Sequence, residues 1–208
     1  MKSYKYRVKK LLFLRNWLPS LLLFKILYKI MYLEIKKVDN TLLQKSLTFF
    51  DESFIKVMKK KSSFKESIVA RYLIKTSPGY NKNSFFSISH KENLVFIGIH
   101  NKKIGIDIEI IKKRDNSLLN TVSKNEFSLL GGKNWENFFY IWTAKESIIK
   151  LKGLILDDIN SITIIKNKTI KKTLSKIEFN KEIELKYIGK KYKILSGRKG
   201  NIIYSITY

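Results

Sequence analysis

Apolar and polar positions alternate strictly from Ile104 to Ile110. Ile104, Ile106, Ile108 and Ile110 fall on one side, Gly105, Asp107 and Glu109 on the other. That is the period of a strand, whose side chains point alternately to its two faces. Phe85–His90 and Leu94–His100 read as two earlier strands joined by Lys91–Asn93, and Asn101–Lys103 turns the chain into IGIDIEI as a hairpin. Period two returns near the C-terminus at Ile162/Ile164, Ile183/Leu185/Tyr187, Tyr192/Ile194 and Ile202/Tyr204/Ile206. Ile188-Gly189-Lys190 and Ser196–Asn201 are the turns there.

Helical spacing replaces alternation in FFYIWTAKESIIK, Phe138–Lys150, where Trp142, Glu146 and Lys150 share a face while Phe139 and Trp142 read as its core. Asn134 caps this helix and Gly153 stands where a C-terminal glycine cap belongs. Ser123 with Glu126 three residues on makes a capping box for a shorter helix that Gly131 and Gly132 stop. Upstream, Asp39 or Asn40 caps one helix, Asp51 or Ser53 the next, and Ser62 or Ser63 opens a third through Ile74. The fold class is therefore α+β, helices packed on antiparallel sheets in two lobes. Their junction lies at the 101–103 turn, giving an N-terminal lobe at 31–101 and a C-terminal lobe at 102–208.

Residues 1–30 form a basic and then apolar N-terminal extension, KSYKYRVKK followed by LLFLRNWLPSLLLFKILYKI. Arg15 breaks the apolar core a signal peptide needs, and no small-residue cleavage site follows. The longest run without charge, Asn16–Phe24, is nine residues, against the roughly 20 that span a bilayer. The segment reads as a helical extension packed on the body, with peripheral contact to a membrane surface as its alternative.

Composition narrows the partners. The 208 residues carry 42 Lys and Arg against 17 Asp and Glu, a formal charge of +25, and such a field draws polyanions and acidic proteins. There is no cysteine, which excludes a disulfide framework and thiolate chemistry and fits a cytoplasmic protein. A basic nucleic-acid-binding protein without catalytic activity is the competing class. Charge and aromatics permit it, but no nucleic-acid fold signature is present, and arginine, the usual base-reading residue, occurs five times.

If the helix crosses the acidic face of the strand, Asp107, Glu109 and Glu146 meet with Lys150 beside them. Such a group suits magnesium, which takes a few carboxylates plus phosphate and water. Taken singly, alternation marks a wet strand face, and a Glu–Lys pair four apart is a surface pair of a few tenths of a kcal/mol. Together, GIDIE followed by W-T-A-K-E-S-x-x-K resembles the signature pair of the 4'-phosphopantetheinyl transferase superfamily, of the surfactin-synthetase-activating (Sfp-like) two-lobe type. FFSISH is similar to that family's upstream FNxSH element, with Ser87 where asparagine is usual. The likeness runs from Ser62 to Gly153.

The resemblance implies a pseudo-dimer of two similar lobes and a definite reaction. The 4'-phosphopantetheine arm of coenzyme A passes to a serine of an apo acyl or peptidyl carrier protein, and adenosine 3',5'-bisphosphate leaves. It implies that Asp107, Glu109 and Glu146 hold Mg2+, with manganese left open, that Glu146 takes the serine proton, and that Lys150 reaches a phosphate oxygen. Ser89 and His90 would meet coenzyme A, His90 at its 3'-phosphate, and Lys75 and Lys82 are lesser contacts. The family's G-K-P element is reduced here to Gly79 and Lys82. The implied enzyme is a monomer whose protein partner is acidic. A degenerate member that only binds coenzyme A would not need Asp107, Glu109, Glu146 and Lys150 intact.

Overall fold

Strand alternation and helix caps decide where the elements of this chain begin and end. The computed structural model describes residues 31–208, which form one compact unit. The expected extension at 1–30, with its membrane contact, lies outside the described residues. In order come β1 (Tyr32–Lys37), α1 (Asn40–Phe49), α2 (Glu52–Met58), α3 (Phe64–Thr76), β2 (Phe85–Lys91), β3 (Leu94–His100), β4 (Gly105–Ile110), α4 (Lys124–Leu130), α5 (Trp135–Lys152), β5 (Thr163–Leu174), β6 (Ile177–Tyr187), β7 (Lys190–Lys199) and β8 (Ile202–Thr207). Asp39 caps α1 and Asp51 caps α2, each accepting a backbone N–H three residues on. Ser63 precedes α3 without a side-chain cap bond. Ser123 and Glu126 close a capping box on α4, Asn134 caps α5, and Gly153 ends α5 in the left-handed conformation at φ 68°.

The class is α+β with two antiparallel sheets, ordered β1-β3-β2 and β4-β8-β7-β6-β5. Two expectations change. β3 and β4 do not form a hairpin, because β4 pairs instead with β8, Asp107 opposite Ser205 and Ile108 opposite Tyr204. Residues 101–104 carry the chain from one sheet to the other. The second turn is also shorter than expected, since β7 continues to Lys199 and only Gly200 and Asn201 reverse the chain.

Burial explains the change of partner. IGIDIEI is not half wet: β4 is buried on both faces. Ile104, Ile106 and Ile108 pack with Leu33 and Phe96 of the three-stranded sheet and with Phe179 and Tyr204 of their own. On the outer side of the three-stranded sheet, Ile68, Val69 and Leu73 of α3 cover Val95, Ile97 and Ile99. On the outer side of the five-stranded sheet, Phe138, Phe139, Ile141 and Ile148 of α5 cover Ile164, Ile183, Ile194 and Ile203. The order of layers is thus helix, sheet, sheet, helix.

β4 is an edge strand, and its free N–H groups need partners. Two serines of β2 supply them: the Ile106 N–H donates to Ser87 Oγ at 3.3 Å and the Ile108 N–H to Ser89 Oγ at 3.2 Å. Across β4, α5 comes close enough that a Cβ on Gly105 would lie 2.6 Å from Leu151 N and nearer still to the Ser147 carbonyl oxygen. Hydroxyls pin the helix to β8, Thr143 to Ser205 at 2.8 Å and Ser147 to Thr207 at 2.6 Å.

Glu126 does more than cap α4. Its carboxylate meets Lys145 Nζ at 2.8 Å and accepts the Ile164 N–H at 3.0 Å, so α4, α5 and β5 converge on one buried charge. Removing one partner of a buried pair strands the other charge, at a cost of about 3–5 kcal/mol. Lys145→Met is therefore expected to lower the melting temperature by about 10 °C, and adding Glu126→Leu should recover most of the loss. Thermal melts of the two variants check this; a single variant melting like the wild type would contradict it.

Candidate active site

Odd positions of β4 face α5, so Asp107 and Glu109 look toward the helix that Gly105 lets approach. Glu146 and Lys150, one turn apart on α5, come down to meet them. Lys150 Nζ lies 2.6 Å from Asp107 Oδ1, 2.9 Å from Ser89 Oγ and 3.9 Å from Glu146 Oε2. Ser89 donates its hydroxyl to Asp107 Oδ1 at 2.8 Å while accepting from Lys150 and the Ile108 N–H, which uses every site a hydroxyl has. The second oxygen of Asp107, Oδ2, is buried with no partner.

Electrostatics marks the same residues. Burial pushes the Asp107 carboxyl above the usual carboxylate range, against the pull of Lys150 and Ser89. Burial first, and the Asp107 charge second, push Glu146 up to about 7, with Lys150 opposing. For stability the sign follows from linkage. Glu146 is easier to protonate folded than unfolded. Its contribution is complete below its ordinary value of 4.5 and is lost as pH rises through about 7. Melting temperatures between pH 5 and 8 (roughly the window that linkage defines) should therefore fall more steeply for the wild type than for Glu146→Gln. Parallel curves would contradict this.

Glu109 is held differently. Lys91 Nζ is 2.9 Å from its carboxylate and Arg114 Nη2 is 3.0 Å away. His90 is exposed, on the face of β2 opposite Ser89. Partial burial of its ring lowers its pKa, Lys150 and Arg71 add to that, and Glu66 and Asp107 oppose it. Lys75 donates to the Tyr80 hydroxyl at 2.6 Å, and Lys82 is exposed in the following loop. The structure thus gathers Asp107, Ser89, Lys150 and Glu146, sets Glu109 beside them on the same strand face, and leaves Lys75 and Lys82 outside this hydrogen-bonded group. Phe139 is fully buried, and Trp142 stacks on Phe138 at 5.7 Å.

Among the described residues no three acids or histidines are already arranged around an ion. Lys150 stands between Asp107 and Glu146, and Glu109 is turned to its two cations. The donor set nonetheless fits a hard cation. An orphaned buried carboxylate oxygen, and a second carboxyl whose pKa the first raises, are both relieved by added positive charge.

Lys91 and Arg114 were not singled out in the sequence. Lys91 shares the face of Ser89 on β2 as Glu109 shares that of Asp107 on β4, but alternation does not say that the two faces meet. Arg114 sits in an irregular segment with no period to read.

A family model described as the 4'-phosphopantetheinyl transferase superfamily matches residues 103–201, which include Asp107, Glu109, Glu146 and Lys150. This segment is similar to that superfamily. Two relatives are named as 4'-phosphopantetheinyl transferases. A 4'-phosphopantetheinyl transferase, gsp, of Aneurinibacillus migulanus is 32% identical over 145 residues, covering 57% of this chain and 61% of the relative. Another, ffp of Bacillus subtilis, is 36% identical over 76 residues, 34% of each chain. The chain therefore spans less than two thirds of these relatives. Neither comparison supports nucleic-acid binding. No helix among the described residues is long and apolar enough to cross a membrane.

Proposed function

We propose that this chain transfers the 4'-phosphopantetheine arm of coenzyme A to a serine of an apo acyl or peptidyl carrier protein. The observation that carries the reading is the meeting of Asp107, Ser89, Glu146 and Lys150 between β2, β4 and α5, three of them within the segment similar to the transferase superfamily. The new bond joins the serine oxygen to the phosphorus of the arm. The bond from that phosphorus to the departing adenosine 3',5'-bisphosphate breaks, and the serine proton goes to Glu146. In such transfers positioning and charge neutralisation do most of the work.

A carboxylate of ordinary pKa is a weak base for an alcohol. Glu146, raised to about 7, is a better one near neutral pH, and a positioned base contributes typically 10²- to 10⁴-fold. Lys150, freed from Asp107, is a point charge for a phosphate oxygen, and Ser89 can turn its hydroxyl to the same oxygen. His90 is held below its ordinary pKa; a 3'-phosphate beside it would draw the proton back and create the ion pair it joins. Asp107, Glu146 and Glu109 are the residues that would hold magnesium or manganese, which when bound neutralises charge on the diphosphate.

The charge of +25 suits an acidic carrier, with an encounter rate that falls as salt is raised. A monomer in the cytoplasm completes the reading. The test is chromatography of the nucleotide product from reactions with coenzyme A, magnesium and a panel of apo carriers. Adenosine 3',5'-bisphosphate should appear only when all three are present and should cease with a chelator; no release with any carrier would reject the proposal.

A further inference from the structure

We infer that Lys91 and Arg114, the two cations closed on Glu109, are binding residues for the phosphates of the donor. The inference rests on the transferase reading of the site. In the structure three carboxyls are matched by three cations: Asp107, Glu109 and Glu146 against Lys91, Arg114 and Lys150. Acids and bases closed on one another leave little free attraction for a diphosphate alone or for a divalent cation alone. The site takes both together, because the acids can turn to the cation while the bases turn to the phosphates, so each ligand raises the affinity for the other.

Lys91 and Arg114 share the character of Lys150. All three close on an acid of β4, and their side chains are 26%, 28% and 29% exposed. The buried pair Lys145–Glu126, at 6% and 4%, shows what a purely internal bridge looks like here. The strands also set a repeat. Ser89 meets Asp107 and Lys91 meets Glu109, two rungs of one row that begins at Lys150. Arg114 rests its guanidinium 5.0 Å above the Phe139 ring, spends Nη2 on Glu109 and keeps Nε buried without an acceptor. This buried donor with no acceptor has its counterpart in Asp107 Oδ2, a buried acceptor with no donor. A phosphate oxygen answers the first and a cation the second.

Calorimetric titration of the full chain with coenzyme A and with inorganic pyrophosphate, each in chelator and in magnesium, tests this. Arg114→Gln and Lys91→Gln should weaken coenzyme A binding in magnesium about 10-fold or more, the loss expected for a charge-assisted contact. Glu109→Gln should do the reverse in chelator, binding pyrophosphate at least about 5-fold tighter than wild type because both cations are released from their competitor. Arg114→Lys keeps a cation on Glu109 and guards against a folding defect; it should keep the wild-type melt and lose part of the affinity. Glutamine variants that bind like wild type, together with no gain for Glu109→Gln, would overturn the inference and leave the two cations as neutralisers of Glu109. A wild type that takes pyrophosphate but not coenzyme A, with the same order among the variants, would sink the transferase reading while supporting the anion site.

Discussion

Asp107→Asn is expected to lower carrier modification by about 10³-fold or more while melting within about 3 °C of the wild type. The activity loss follows from position. Asp107 Oδ1 is where Ser89 and Lys150 converge, and Oδ2 is the buried oxygen left without a partner. Asparagine keeps the first contact and puts an N–H donor in place of the second, so the group that a cation would hold is gone. Stability is spared because the carboxylate is no asset to the fold. Burial raises its pKa, so the ionised form is disfavoured in the folded state, and its contribution to stability is already lost as pH rises through the raised value. Asparagine removes that charge. Rate assays beside thermal melts check both halves. Near-normal turnover would mean the role is misassigned, and a large drop in melting temperature would make Asp107 a structural residue.

Gly105→Ala carries the largest expected effect on folding. The added methyl would collide with backbone of α5, 2.6 Å from Leu151 N and closer to the Ser147 carbonyl oxygen. Backbone cannot rotate away as a side-chain tip can, so the strand and helix must separate. Overpacking a core costs typically 1–3 kcal/mol when side chains can yield; here about 3 kcal/mol is the lower end, or about 10 °C in melting temperature. The separation also pulls Lys150 from Asp107, so the surviving folded fraction should be poorly active. A Gly105→Ala protein that melts and turns over like wild type would show that α5 does not sit on β4 as described.

The elements that hold the acids were legible because side-chain period is a local property. IGIDIEI announces a strand and FFYIWTAKESIIK a helix, and Asn134, Ser123 and Gly153 mark ends that the structure keeps. Which strand lies beside which is not local. Alternation says what face Asp107 takes but is silent on β8, almost a hundred residues away, so the expected hairpin with β3 gave way to pairing with residues 202–207. The double burial of β4 is not legible in the sequence for a related reason. Two acids on one face look wet until a helix and a pair of serines are known to cover them. Glu126 shows how one residue can be half read. Its capping role is written in Ser123–Glu126, whereas its bond to Lys145 depends on how α4 and α5 meet.

The most direct test is the intact mass of an apo carrier protein after incubation with this chain, coenzyme A and magnesium. A gain equal to one phosphopantetheine arm is expected on the carrier's serine, and it should vanish with chelator. An unchanged mass across a broad panel of acidic carriers, with a folded protein and magnesium present, would contradict the transferase reading.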